Sequence, residues 1–411
     1  MTDKLNVYLY GKKAGVLTED ENAQISFKYE SNAKHPLTVR MPIREEKYPH
    51  AFAYSFFENL TPEGEPLELI ANRLRLSENN PFSILEKIGG DCAGAVALYE
   101  GNIPKKTNEP LIKISKKKLA CIIDDLPKNP LLIGMKKPPR LSLAGAQSKF
   151  AVYKDEKGYY SPNDYYPSTQ IIKIGNDRYK NLLYNELFCM KLASHLGLPS
   201  PQNVSLKETD GRVYLDIDRY DRKIIPKGVK RIHQEDFCQA LGYPSAKKYQ
   251  ADGGPSMRDC YKAIIQYSQN KTSDAFSFLQ WMAFNYLIGN ADAHAKNISF
   301  LHKGSRVVLA PFYDLLSTEI YSEKITSRKI AMLINGKDIY EKINRKDFLA
   351  AYEQYGLNPL QTIKNISQFF QETLKKAKAV KAQLNSEKLT SSAVYSNIIA
   401  LITKRLSAII L

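Results

Sequence analysis

Residues 289–300 read Gly-Asn-Ala-Asp-Ala-His-Ala-Lys-Asn-Ile-Ser-Phe, and within them Asp292 and Asn297 stand in the spacing D-x-x-x-x-N. A carboxylate on such a loop can accept the proton of an attacking hydroxyl, while a nearby amide oxygen holds Mg²⁺ against a phosphate. Apolar runs at 298–301 and 307–309 flank the turn Lys303-Gly304-Ser305, a hairpin signal, and Phe312-Tyr313-Asp314 follows. That hairpin would return Asp314 beside Asn297, where a carboxylate and an amide oxygen can share a hard cation. Alone, a D-x-x-x-x-N pair is more often local structure, because Asp and Asn favour loops and caps. Asp292 and His294 also form a D-x-H that can bind a transition metal, although no further carboxylate and histidine cluster accompanies it.

Lys173 lies in Ile171-Ile172-Lys173-Ile174, a strand otherwise β-branched and apolar, so its amine must snorkel outward or meet an anion. The α- and β-phosphates of ATP are one such anion, with Glu186 on the next helix to orient the amine; an edge-strand lysine with an exposed tip is an equal reading. Upstream, residues 141–149 carry the small side chains of Ala144, Gly145 and Ala146, then Gln147, Ser148 and Lys149. Their N–H groups can approach phosphate oxygens, though with one glycine a plain tight turn explains the stretch better. The alternating strand at 213–217 runs into Asp218-Arg219-Tyr220-Asp221-Arg222, a connector able to hold adenine through its backbone, or else a charged hinge. Phosphate loop, strand lysine, helix glutamate, hinge, D-x-x-x-x-N and metal aspartate follow one another in the chain order of a protein kinase. Independent accidents would not be so ordered. The kinase D-F-G element is here Asp314-Leu315-Leu316, without the glycine.

The elements that must position these residues are readable more coarsely. A chain of 411 residues, 43% hydrophobic and 25% charged, has room for two or three domains, which excludes disorder, collagen and small disulfide scaffolds. The longest apolar run, 276–288, is broken by Gln280 and Asn285, so no membrane span is expected. The start, with Asp3 and Lys4, reads as a first strand rather than a signal peptide, giving a cytoplasmic expectation. Five scattered cysteines without a C-x-x-C pair argue against disulfides or a zinc knuckle, and a net charge of +16 favours phosphate-rich partners. A hairpin turning at Gly11, helices around 67–74 and 81–88, and a closing strand at 91–99 form a first subdomain. The Lys- and Pro-rich residues 103–140 read as a solvated linker. Strands predominate from 142 to 217 around one helix at 181–195, and the spacing is helical almost throughout after Tyr220.

Taken together, these motifs resemble the HipA-type serine/threonine kinases, the toxin component of bacterial HipA–HipB toxin–antitoxin pairs. The likeness extends over nearly the whole chain and includes Phe56-Phe57-Glu58-Asn59-Leu60, Pro62-Glu63-Gly64-Glu65, Ile88-Gly89-Gly90-Asp91-Cys92-Ala93-Gly94-Ala95 and Gln234-Glu235-Asp236. It implies an α+β, bilobal protein-kinase-like fold with an extra N-terminal α/β subdomain (1–103), a strand-rich nucleotide lobe (104–218) and a mainly helical catalytic lobe (219–411). It also implies Asp292 as the base, Asn297 and Asp314 as Mg²⁺ ligands, residues 144–149 as the phosphate loop, Lys173 as the nucleotide lysine and 218–220 as the adenine hinge. His294, Lys296 and Tyr313 would flank the phosphates. Ser142 matches the loop serine that the family autophosphorylates, which ejects the loop; a dianionic phosphate there would repel those of ATP. Ser148 stands where the family commonly has an acidic residue and is a second possible site, and Asp218 replaces the more usual glutamate. The implied partners are a HipB-like helix-turn-helix antitoxin, operator DNA through that complex, and an aminoacyl-tRNA synthetase as substrate, glutamyl-tRNA synthetase first. Two other readings are a co-repressor with little kinase activity, and a metallohydrolase built on Asp292, His294 and Asp314.

Overall fold

The computed structural model describes residues 3–104, 111–132, 139–145, 147–226 and 228–410. The chain divides into two compact units, Met1–Ile174 with Glu208–Ser245 and Phe300–Val307, and Gly175–Lys207 with Ala246–Ser299 and Val308–Leu411.

The first unit opens with β1 (Asp3–Leu9), β2 (Lys12–Glu19) and β3 (Ile25–Tyr29), which with β4 (Val96–Tyr99) make a sheet in the order β3-β2-β1-β4. Gly11 takes φ 74° at the tight turn, a conformation open to glycine. Leu5, Val7 and Leu9 alternate inward and meet Phe27, Phe56 and Phe57, the last two from the helix His50–Phe57. The helix Pro81–Ile88 has the expected ends: the Asn80 side chain caps the Ser83 N–H, Pro81 stands in the first turn and Gly89 follows the last residue. Of the stretch 91–99 only Val96–Tyr99 is strand, because the carbonyls of Cys92 and Gly94 are taken by Arg222 instead of a ladder.

A second sheet follows in the first unit: β5 (Lys113–Ile114), β6 (Lys149–Asp155), β7 (Gly158–Tyr160) and β8 (Gln170–Ile174), in the order β5-β7-β6-β8, with the strand Arg212–Asp218 beyond β8. Adjacent strands in this order are antiparallel. The linker expected at 103–140 is in part a packed element. Lys116–Asp125 is a helix whose Leu119, Ile122 and Ile123 bury against Phe150, Val152 and Ile172, while the lysine run at its start faces water. Of that basic segment, Lys105, Lys106, Pro110, Lys136, Lys137 and Pro138 lie outside the described residues. The expectation of helix after Tyr220 also needs correction, since Arg222–Ile225, Gly228–Arg231, His233–Asp236, Lys329–Ile334 and Lys337–Ile339 are strands. They are short, and basic residues occupy many of their positions, so no apolar alternation marks them.

The second unit is mainly helical: Leu182–His195, Met257–Tyr267, Lys271–Ile288, Arg345–Gln354, Pro359–Asn385 and Val394–Ile410. Its core includes the buried Phe278, Trp281 and Phe284 of one helix and the stacked rings of Phe188 and Tyr395, 5.0 Å apart. No helix among the described residues is long and apolar enough to cross a membrane. Four of the free cysteines are buried and Cys121 is exposed.

Candidate active site

In the second unit, the helix Lys271–Ile288 stops at Gly289, whose φ of 69° lets the chain turn out of the helix. The residues that follow are tied down by their own polar groups. Asn290 donates to the Asn285 side chain at 2.8 Å, the Ala291 N–H to the Thr318 hydroxyl at 2.8 Å, and the Asp292 N–H to the Asn290 side chain at 3.2 Å. Asn297 donates its side-chain N–H to the Asp292 carbonyl at 2.9 Å, so the ends of D-x-x-x-x-N are directly joined. That bond commits the amide nitrogen of Asn297 and leaves its oxygen as the atom on offer to a hard cation.

The Asp292 carboxylate is half exposed. One oxygen, Oδ1, accepts the Tyr249 hydroxyl at 2.5 Å, and His294 Nε2 stands 3.9 Å from the same atom. The Tyr249 and His294 rings meet edge to face at 5.2 Å. Tyr249 was missed by sequence reasoning: in Lys247-Lys248-Tyr249-Gln250 nothing distinguishes it from a surface tyrosine, and only the fold carries it to the loop.

The D-x-x-x-x-N loop and the Asp314 segment do come together. Tyr313 donates to the Lys296 carbonyl at 2.5 Å and is 2.8 Å from the Ser299 hydroxyl, while Asn290 reaches the Asp314 carbonyl at 3.4 Å. Asp314 itself has φ 53°, the left-handed region where Asp is tolerated better than most side chains. Lys296 is buried, as are His294 and Asn297. Glu186 is buried on the helix Leu182–His195 of this unit.

In the first unit, Ser142 is fully buried; its hydroxyl donates to the Leu60 carbonyl at 2.5 Å and its N–H to the Asp91 carbonyl at 3.2 Å. Ala144, Gly145, Gln147, Ser148 and Lys149 are partly exposed, and Ala146 lies outside the described residues. Gly145 has φ 98°, and a Cβ there would fall 2.6 Å from Lys149 Nζ, so the amine lies over the loop where only glycine leaves room. Lys149 and Lys173 are direct cross-strand partners of β6 and β8, and Lys173 is buried. Like charges opposite each other repel, and burial of Lys173 adds to the cost, so the pair suits a place where anionic charge is near.

The connector differs in one respect from its expected role. Asp218 and Tyr220 are partly exposed, but Arg219 is buried and turned inward. Its N–H donates to the Thr169 carbonyl at 2.9 Å, its carbonyl accepts from the Arg222 N–H at 3.2 Å, and its guanidinium holds Asp221 and Ser168. Arg219 is therefore held as a structural ion, its N–H and guanidinium engaged within the first unit. Among the described residues no group of three or more His, Cys, Asp or Glu side chains is arranged to hold a metal ion, which leaves the metallohydrolase reading without its site.

The described fold is α+β, and the comparisons place it. The family model of the HipA N-terminal domain matches residues 5–99, and that of the HipA-like C-terminal domain matches 141–381. The serine/threonine-protein kinase toxin HipA of Shewanella oneidensis is 32% identical over 76% of this chain and 73% of its own length. The protein Y4mE of Sinorhizobium fredii, a kinase by name, is 37% identical over 80% of each. A solved complex of HipA, HipB and operator DNA from Shewanella oneidensis contains a chain that superposes with a TM-score of 0.87, covering 99% of this chain and 97% of that one, at 26% identity. Fold and relatives define an enzyme of the kinase class. The chain belongs to the HipA family.

Proposed function

We propose that this chain is an ATP- and Mg²⁺-dependent serine/threonine protein kinase, the toxin of a type II toxin–antitoxin pair. The observation that carries this reading is Asp292, half exposed, with one carboxylate oxygen fixed by Tyr249 and its backbone tied to Asn297. An oxygen so fixed sets the direction of the other, which can take the proton of a substrate Ser or Thr hydroxyl. Asn297 and Asp314 offer the oxygen donors Mg²⁺ prefers, and the ion when bound supplies charge against the phosphates. Lys173, paired with Lys149, and the loop 144–149 hold the nucleotide phosphates; Asp218 and Tyr220 flank adenine. His294, Lys296 and Tyr313 flank the phosphates. The division at about residues 103 and 218 belongs to the same proposal.

The loop serines differ in a way that bears on autophosphorylation. Ser142 is buried and bonded to Leu60, so it receives a phosphate only after the loop has left its seat. Ser148 is partly exposed without such a movement. The complex of the Shewanella relative supports a HipB-like antitoxin and operator DNA as partners, and an aminoacyl-tRNA synthetase, glutamyl-tRNA synthetase first, is the proposed substrate. Intact-mass spectrometry of the protein incubated with Mg-ATP, followed by phosphosite mapping, tests the kinase reading. Added phosphate on Ser142 or Ser148 is expected; an unmodified protein that binds ATP and labels neither itself nor a synthetase rejects it.

A further inference from the structure

Asp91 has no place in the chemistry just described, yet it is held from several directions. Its backbone holds the segment that leads into the phosphate loop: its N–H donates to the Arg140 carbonyl at 2.8 Å, its carbonyl accepts from the Ser142 N–H at 3.2 Å, and it forms a parallel bridge with Leu141. Its carboxylate faces the adenine connector. Oδ1 accepts from Arg222 at 2.8 Å and from Arg231 at 3.1 Å; Oδ2 accepts the N–H and hydroxyl of Ser168 at 2.8 and 2.7 Å. The Ser168 hydroxyl in turn accepts from Arg219 at 2.8 Å, and Arg219 also donates its N–H to Thr169. Arg219 and Arg222 bracket Tyr220, so the connector is fixed on both sides by groups that answer to Asp91.

We propose that Asp91 is a positioning residue for the nucleotide, its main chain setting the phosphate loop and its carboxylate setting the connector 218–220. The proposal rests on the kinase reading above. An amide at this place cannot do the same work: its nitrogen would point hydrogens at the donating Ser168 N–H or at a guanidinium, and the three arginines would lose a neutralising charge. The connector backbone must then shift with Arg219 and Arg222, and the adenine contacts shift with it.

The test is calorimetric binding of a non-hydrolysable ATP analogue with Mg²⁺ to the full chain, alongside turnover at saturating ATP. Asp91→Asn is expected to raise the Kd about tenfold or more while changing saturated turnover by less than about threefold. Asp91→Glu, which keeps the charge, is expected to recover part of the affinity. Asp347→Asn, which breaks a helix-capping carboxylate of the second unit, is the control for plain destabilisation and should leave Kd unchanged. If Asp91→Asn does not fold, Ser168→Ala, which removes only the hydroxyl between Asp91 and Arg219, decides, with a smaller rise in Kd expected. An unchanged Kd in the deciding variant overturns the positioning role alone. A folded wild type that does not bind the analogue overturns the kinase reading, and this inference with it.

Discussion

Charge is used on opposite terms in the two units. In the first, Asp91, Asp221, Arg219 and Arg222 are buried together, with Arg231 mostly buried beside them, and their ionic groups meet each other or a backbone partner. Burial alone would raise the carboxyl pKa values of Asp91 and Asp221, but the arginines outweigh it and hold both below the ordinary range. Arg222 is drawn down to about 10 by burial first and by repulsion from Arg219 second, and it stays charged at neutral pH. In the second unit Asp292 stands half in water, one oxygen bonded to Tyr249. An ion enclosed by its partners fixes shape; an ion with an oxygen open to water can do chemistry.

Substitution should separate the two. Asp292→Gln is expected to lower phosphoryl transfer by about 10²–10⁴-fold, while its stability stays within about 1 kcal/mol of wild type because the carboxylate is half exposed and the amide oxygen can still accept from Tyr249. Mass-spectrometric labelling and thermal unfolding read these together; labelling at the wild-type rate would end the assignment of Asp292. Arg222→Met should behave in reverse. It takes from Asp91 and Asp221 one of the arginines that meet them in a buried site, leaving Arg219 and Arg231, at a cost of about 1–3 kcal/mol, read as a lower urea midpoint. An Arg222→Met protein as stable as the wild type would mean that the cluster does not hold the fold together.

The local pieces of the candidate site were more legible in the sequence than the scaffold around them. The approach of the 292–297 loop to the Asp314 segment could be read because the spacing and the hairpin between them are local, and the hairpin turn at Gly304 lies where the residues put it. Caps were equally local, as at Asn80, Pro81 and Gly89. What escaped depends on contacts distant in sequence. The helix Lys116–Asp125 was hidden by its lysines, although Leu119, Ile122 and Ile123 carry a helical spacing. The inward turn of Arg219 was hidden because its partners, Ser168, Thr169 and Cys92, come from other parts of the chain. The strand pair Lys329–Ile334 and Lys337–Ile339 was legible in part, since Asn335-Gly336 is a strong hairpin turn with φ 50° and 74°.

Tyr249 sharpens the contrast at a smaller scale. Removing its hydroxyl deprives Asp292 of a hydrogen bond worth about 1.5 kcal/mol or more for a charged acceptor. Tyr249→Phe is therefore expected to lower saturated turnover about tenfold with the KM for ATP unchanged. A change in KM alone, with turnover intact, would show that Tyr249 serves the nucleotide and not the base.

The smallest expected effect tests whether the first unit's buried polar groups are structural throughout. His233 is 1% exposed, its Nε2 lies 2.7 Å from the Leu37 carbonyl, and its ring stands 4.8 Å from that of His302. Tyr10 meets it edge-on, Glu235 bonds His302, and Asp221 and His35 add opposing fields. Burial, reinforced by His302, lowers its pKa from 6.5 to about 3. The unfolded chain thus takes up a proton on acidification through 6.5 that the folded chain refuses until about 3, so stability is full above 6.5 and falls between those values. At pH 5.5 the loss relative to pH 7.5 from this residue is about 1 kcal/mol. His233→Gln, which keeps a donor for Leu37, should unfold in urea with a shallower pH dependence over that interval than the wild type. Parallel curves for the two proteins would show that His233 accepts its proton in place, and that this buried group, unlike the arginine cluster, is free to change its charge.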